Sequence, residues 1–284
     1  MSILLNALAA FGAGVLASCI GAVPAFVMTG LIAIAGTVGG FAGTATIAFG
    51  TVFGPHIAFA GAVAATAYAA KKGAIEAGAA VGTPLAPLGQ PDVLVVGGVF
   101  GVIGWVIGTY IVPAIFGGLI PFATDAPGMT VVISGIIARL AFGKRGLASG
   151  TKGAVTSAQS VLIGVAFSLM VGGTGVSLAE AGVDMSGYNL IIFGIAAFTL
   201  ILPGTPGWHQ IGIISAYATM IGLSAGLGSV AVVLFAVVAG VAANFICDLE
   251  GYLINTDVDS HIDGPGTAIC IMTIVLNIVA AVLA

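Results

Sequence analysis

Two aspartates carry the first chemical signal. Asp125 stands in Thr124-Asp125-Ala126-Pro127-Gly128, directly before the apolar run Met129 to Phe142; Asp263 stands in Ile262-Asp263-Gly264-Pro265-Gly266, before Thr267 to Ala284. An ionisable side chain at lipid depth is costly, and residues of this kind mark ion or substrate paths. The Pro-Gly step beside each sharpens the reading, because broken backbone at that depth is tolerated only where it is buried in protein or lines a wet cavity. Such a carboxylate can bind Na+ or exchange a proton as its access to water changes. It can equally cap the helix that follows, and the two roles are compatible.

Two histidines follow breaks of the same kind. His56 comes directly after Gly54-Pro55, and His209 follows Pro203-Gly204-Thr205-Pro206-Gly207 by one residue. An imidazole titrates near physiological pH, which suits proton coupling or hydrogen bonding to a substrate; a satisfied interior histidine is the plainer alternative. Thr66 and Thr219 stand ten residues beyond each His. That is almost three helical turns, too far to share a site, so they are expected to join helix to helix.

Asp257, Asp259 and His261 alternate along the chain. On an extended segment they would point one way and could hold a divalent cation such as Ca2+ or Mg2+, although the spacing is not that of a helix-loop-helix calcium site. A solvated outer loop is the simpler expectation. Asn244, Asp248 and Glu250 are expected to form a cation-attracting mouth. Helix N-termini after the breaks would suit an anion, but no Lys or Arg lies deep in a span to help. There is no phosphate loop, metal-ligand helix, nucleophile elbow or nucleic-acid patch, so the expectation is a protein that is not an enzyme, has no nucleic-acid partner, and needs no cofactor beyond Na+ or a divalent cation.

These residues sit in a chain of 284 residues that is 60% hydrophobic and 6% charged, with a mean hydropathy of +1.24. It lacks the polar surface that a water-soluble domain needs. The expected class is therefore all-α, a polytopic membrane helix bundle whose first partner is the lipid bilayer. The 45 glycines are read first as packing faces. Gly97, Gly101, Gly104 and Gly108, and again Gly222 and Gly226, have the spacing that lets helices approach closely, within one chain or across a homo-oligomer. The three cysteines show no metal spacing and read as small core residues.

All six basic residues lie between positions 71 and 152, while seven of the ten acids lie after 179. Lys and Arg near span ends mark the cytoplasmic side, so the loops at 71–93 and 144–153 are expected there, with Arg139 reaching the same surface. Along the chain, Leu4 to Ile20 reads as a span and Val23 to Ala35 as a re-entrant piece. Phe41 to Ala70 reads as a helix broken at Gly54-Pro55. Val93 to Phe116, Pro127 to Phe142 and Val155 to Met170 read as crossings, then Gly172 to Gly187 as an outer loop. A second broken element covers Tyr188 to Leu223, and two spans follow, Val230 to Cys247 and Pro265 to Ala284, with an acidic outer loop between them.

His209 lies 153 positions after His56, Thr219 the same distance after Thr66, and Asp263 138 after Asp125. These matches predict two tandem repeats, 1–146 and 147–284, of four spans each in parallel orientation. Eight spans follow, with ten as the upper count and both termini cytoplasmic. Transporters built from internal repeats place their sites at broken helices near the midplane. The expected function is thus a secondary transporter of a small solute coupled to Na+ or H+, with the site at Gly54, Pro55, His56, Asp125, Pro127, Gly128, Pro206, Gly207, His209, Asp263, Pro265 and Gly266. A passive channel for a small solute or ion, and a membrane subunit or scaffold of a larger complex, are the alternatives.

Overall fold

The computed structural model describes residues 2–40, 43–148, 153–202, 204–205 and 207–284. Among them no strand forms, and the chain is built from helices. In order these are α1 (Ser2–Ile20), α2 (Ala22–Gly39), the short α3 (Thr44–Ala48), α4 (Ala58–Lys71), α5 (Pro91–Val106), α6 (Val112–Ile115), α7 (Ala126–Phe142), α8 (Ala158–Glu180), α9 (Tyr188–Phe198), α10 (His209–Ser224), α11 (Ser229–Ile254) and α12 (Gly264–Leu283). A π-helical turn, Ile107–Ile111, joins α5 to α6 without a break. Among the described residues six helical stretches are long and apolar enough to cross a membrane: Ser2–Ile20, Ala22–Gly39, Pro91–Ile115, Ala158–Glu180, Ser229–Ile254 and Gly264–Leu283. The chain is an all-helical, multi-pass membrane protein.

Local sequence explains where the helices start and stop. Asp125 and Asp263 each cap a helix, accepting the N–H of Gly128 at 2.6 Å and of Gly266 at 2.7 Å. Pro127 and Pro265 sit in the first turns, where a missing N–H costs nothing. Ser157 caps α8 in the same way, accepting from Ser160 N–H at 3.1 Å. Between α1 and α2 the chain turns on a single residue, Gly21, whose φ of 96° suits glycine.

Three expected segments differ. Residues 22–39 form a full-length helix in place of a re-entrant piece, because the apolar pattern runs on through Gly36 to Gly39. Helix α8 continues to Glu180 and takes in most of the expected outer loop at 172–187. Helix α11 continues to Ile254, so Asp248 and Glu250 are helical.

One end of the molecule gathers Lys71, Lys72, Lys144 and Arg145. Lys71 Nζ donates to the carbonyl of Ala141, and Lys72 pairs with Asp92 at 2.5 Å, which brings together the ends of α4 and α7 and the start of α5. The acidic segment lies at this same end, contrary to its assignment to the opposite face. Arg145 pairs with Asp257 at 2.5 Å, and Asp259 accepts the N–H of Lys144 at 2.6 Å. Opposite charges attract across the 143–147 and 255–260 segments, which the sequence places far apart. Arg139 does not reach the surface either. It is 1% exposed and donates to Ser260 Oγ, to the carbonyls of Leu147, Ile254 and Ser260, and to Asn255 Oδ1.

Helix directions follow from these anchors. Helix α1 lies on α4 and α5, and α8 lies on α10 and α11. The end of α1 meets the start of α5 through Leu85 N–H to Ser18 O at 3.1 Å. Thr156 and Ser160 beside the start of α8 reach Asp248 near the end of α11. At the far end, Ser229 bonds Glu180, and Ser224 and Ala284 border one groove. Ser2 and Ala284 therefore lie at the end away from the basic residues, not with them as expected. Helices α1 and α8 also run in opposite senses, so the expected parallel orientation of two halves does not describe these directions.

The packing between α1, α4 and α5 is backbone on backbone. A Cβ built on Gly14 or Gly61 would overlap or crowd the carbonyl of Gly97, and one on Gly101 would meet the carbonyl of Ala10. The glycine series at 97–108 is used inside the chain. At Gly104 the carbonyl of His56 occupies the space of a side chain. Gly104→Ala should therefore displace the His56 turn and cost about 1–3 kcal/mol, measured as a lowered unfolding midpoint in detergent. An unchanged midpoint would show that α5 can slide.

Candidate functional site

The first turns of α7 and α12 touch. A Cβ on Gly128 would lie 3.2 Å from the carbonyl oxygen of Gly266, and a Cβ on Gly266 would lie 3.2 Å from that of Gly128. The contact is reciprocal, glycine against glycine, at the last residue of the Asp-x-Pro-Gly sequence of each helix. From it the helices leave in opposite directions. Helix α7 ends at the basic residues, with the 261–262 segment packed along it at Gly135. Helix α12 ends at the other face, with Thr124 Oγ1 donating to Cys270 O at 2.8 Å and Asn277 donating to Ala123 O at 2.8 Å. Each aspartate thus stands inside the molecule, reached by a segment that descends along the partner helix.

Helices α4 and α10 also begin inside. Neither has a side-chain cap, in contrast to α7 and α12. Their starts border a cavity of about 180 Å3 whose lining includes Pro55, Phe59, Gly207, His209, His261, Asp263 and Pro265. In it Asp263 uses both oxygens. Oδ2 accepts Gly266 N–H, and Oδ1 lies 3.3 Å from His261 Nε2. His209 is 6% exposed, its ring lies 4.6 Å from that of Phe26, and its Nδ1 has no hydrogen-bond partner. A carboxylate, an imidazole paired with it and a second imidazole whose Nδ1 has no partner share one small space.

The other predicted residues separate. His56 is buried behind α5 and α7, where a Cβ on Gly108 would touch its ring and Thr130 Oγ1. His56 Nδ1, Thr130 Oγ1 and Ser134 Oγ all lack partners, and the π-helical turn lies beside them. Asp125 borders a second, larger cavity of about 720 Å3, which shares no lining residue with the first. Pro206 lies outside the described residues. Asp257, Asp259 and His261 do not converge: they go to Arg145, to Lys144 N–H and to Asp263, and among the described residues no group of three such side chains is placed to hold a metal.

Thr66 and Thr219 bond back to the carbonyls of Ala62 and Ser215 in their own helices, at 2.8 and 2.7 Å, rather than across to neighbours. Asn244 and Asp248 do not form a mouth. Gln210 Nε2 donates to Asn244 Oδ1, Asn244 to Ser160, and Ser160 and Thr156 to Asp248, a polar line from the start of α10 to the basic end. Glu250 is buried and accepts from Asn255 at 2.8 Å. Sequence reasoning passed over Gln210, Tyr217, Thr273 and the Asn255 and Ser260 partners of Arg139. The signal available was a polar residue interrupting an apolar helix, as Thr130 and Ser134 do one turn apart.

Residues 1–156 match a family model described as "Family of unknown function (DUF7973)". The chain belongs to this family. The match spans α1 to α7, and with them His56 and Asp125, and stops in the connection before α8. No curated protein and no solved structure matches the chain.

Proposed function

We propose that this chain is a secondary transporter of a small solute, coupled to protons, whose two halves are inverted duplicates. The observation that carries this reading is the Gly128–Gly266 contact, where two acid-capped helices start side by side inside the protein and leave toward opposite faces. Each half contributes the same series: a long helix, a helix followed by a break, a helix begun by the His-bearing turn, a long helix, and an acid-capped helix. Helices α2 and α9 pack on one another as α7 and α12 do, as pairs exchanged by a twofold axis would. The family match ending between α7 and α8 supports the same division. Counting α4, α7, α9 and α10 as shorter passages beside the six long ones yields five per half. An odd number inverts the second half.

Inverted repeats, broken helices and an interior site are the parts from which alternating access is built. We assign the proton because both Asp263 oxygens are engaged, one by an imidazole, an arrangement that exchanges H+ more readily than it ligates Na+. The basic end is cytoplasmic in this reading, which puts Ser2 and Ala284 on the outer face.

The test is ion movement in proteoliposomes loaded with a pH-sensitive dye and challenged with small cationic, anionic and neutral solutes under imposed proton or Na+ gradients. The expected result is a lumenal pH change that requires both protein and one solute class. Proton movement without any solute would identify a channel, and Na+-dependent movement alone would remove the proton assignment. No movement with any class would overturn the transporter reading and favour a scaffold.

A further inference from the structure

We infer that the larger cavity is a binding site for a small organic cation, an alkylammonium group with a short aliphatic body, held by Asp125. This names the substrate class for the transporter reading and rests on it only for the word substrate, since binding is measured separately. The cavity volume of about 720 Å3 lies in the range of small-molecule sites, roughly 300–1,000 Å3. The cavity at His209 is smaller, about 180 Å3.

The charge of the lining is one-sided. Among the described residues that line it, Asp125 is the one with a carboxylate side chain, and none is Lys, Arg or His. One oxygen of Asp125 accepts Gly128 N–H, and the other has no partner among the described residues. A carboxylate with a free oxygen in a cavity without a counter-ion selects for a cation. Tyr217 lines the same cavity, and aromatic side chains bind quaternary ammonium groups through their ring faces. Thr273 is also in the lining, and its buried Oγ1 has no hydrogen-bond partner among the described residues. Met220 and Leu276 supply an apolar wall. At the outer mouth stand Ser224 and Ala225, the end of α10, whose dipole adds negative potential. Bare Na+ would use neither the ring nor the apolar wall.

The test is calorimetric titration of the whole protein in an uncharged detergent with choline, with the neutral isostere in which tert-butyl replaces trimethylammonium, and with butyrate. Choline should bind saturably and the other two should not. Asn is as good a helix cap as Asp, so Asp125→Asn should stay folded and bind choline at least about tenfold more weakly. Tyr217→Leu should weaken it several-fold and Tyr217→Phe should retain it. Repeating the titration with phosphatidylcholine added shows by competition whether the ammonium group belongs to a lipid head or a free solute. Equal binding of the neutral isostere, undiminished binding by a folded Asp125→Asn, or no binding of choline would overturn the inference. Choline binding without coupled proton movement leaves this site standing and removes the transporter reading. Coupled movement of an anion or neutral solute without choline binding does the reverse.

Discussion

Asp263→Asn is expected to yield a folded protein in which solute-dependent proton movement is abolished. The cap survives, since an amide oxygen can still accept Gly266 N–H at the 2.7 Å site and Asn and Asp cap about equally well. What disappears is the charge that answers His261 and the group that can take its proton. Asp125→Asn should also abolish coupled flux while losing cation binding, so the two substitutions fail differently. Asp263→Asn keeps the ligand and loses the ion; Asp125→Asn loses the ligand. Unchanged flux in both, at equal protein in the liposomes, would remove both aspartates from the mechanism. Asp→Ala at either site is the less informative change, because loss of a cap alone costs about 1 kcal/mol.

The second large effect is on stability. Arg139→Met should destabilise the protein by about 3–5 kcal/mol, seen as a large drop in the unfolding midpoint and in the denaturant needed to unfold it. Arg139 is buried, and its guanidinium ties the end of α7 to Ile254, Asn255 and Ser260. Removing it leaves those acceptors and the buried Glu250 without their cation. Arg139→Lys should not rescue, since an ammonium offers three donors from one point where the bound fork spreads its donors over several partners. The 254–260 segment leads directly into Asp263, so a surviving fraction should also show weakened coupling. Wild-type stability in Arg139→Met would mean that water replaces the guanidinium.

Much of the fold was legible because its strongest signals are one-dimensional. Apolar runs of span length, Pro-Gly breaks and Asp before Pro-Gly can be read without knowing what they touch. Hence the break at Gly54-Pro55 and the caps at Asp125 and Asp263 were found at their positions. Span ends were missed where an apolar run passes through polar residues that a neighbour satisfies. Asp248 extends α11 because Thr156 and Ser160 hold it, and no local rule foretells that. The opposite senses of α1 and α8 were missed for a related reason. Counting crossings depends on whether residues 22–39 cross, and one passage more or less reverses everything after it. Grouping by sequence offset paired His56 with His209, yet only His209 reaches the cavity of Asp263. The offset records position along the chain and not which side of the helix faces inward.

The glycine contacts among α1, α4 and α5 restrict how the protein can move. Carbonyls at Gly97, Ala10 and His56 already fill the space that side chains would occupy, so at those points the helices meet without a side chain between them. If the proposed transporter function holds, α1, α4 and α5 are expected to move together, with the change taken up at Gly21 and at the turn ahead of His56.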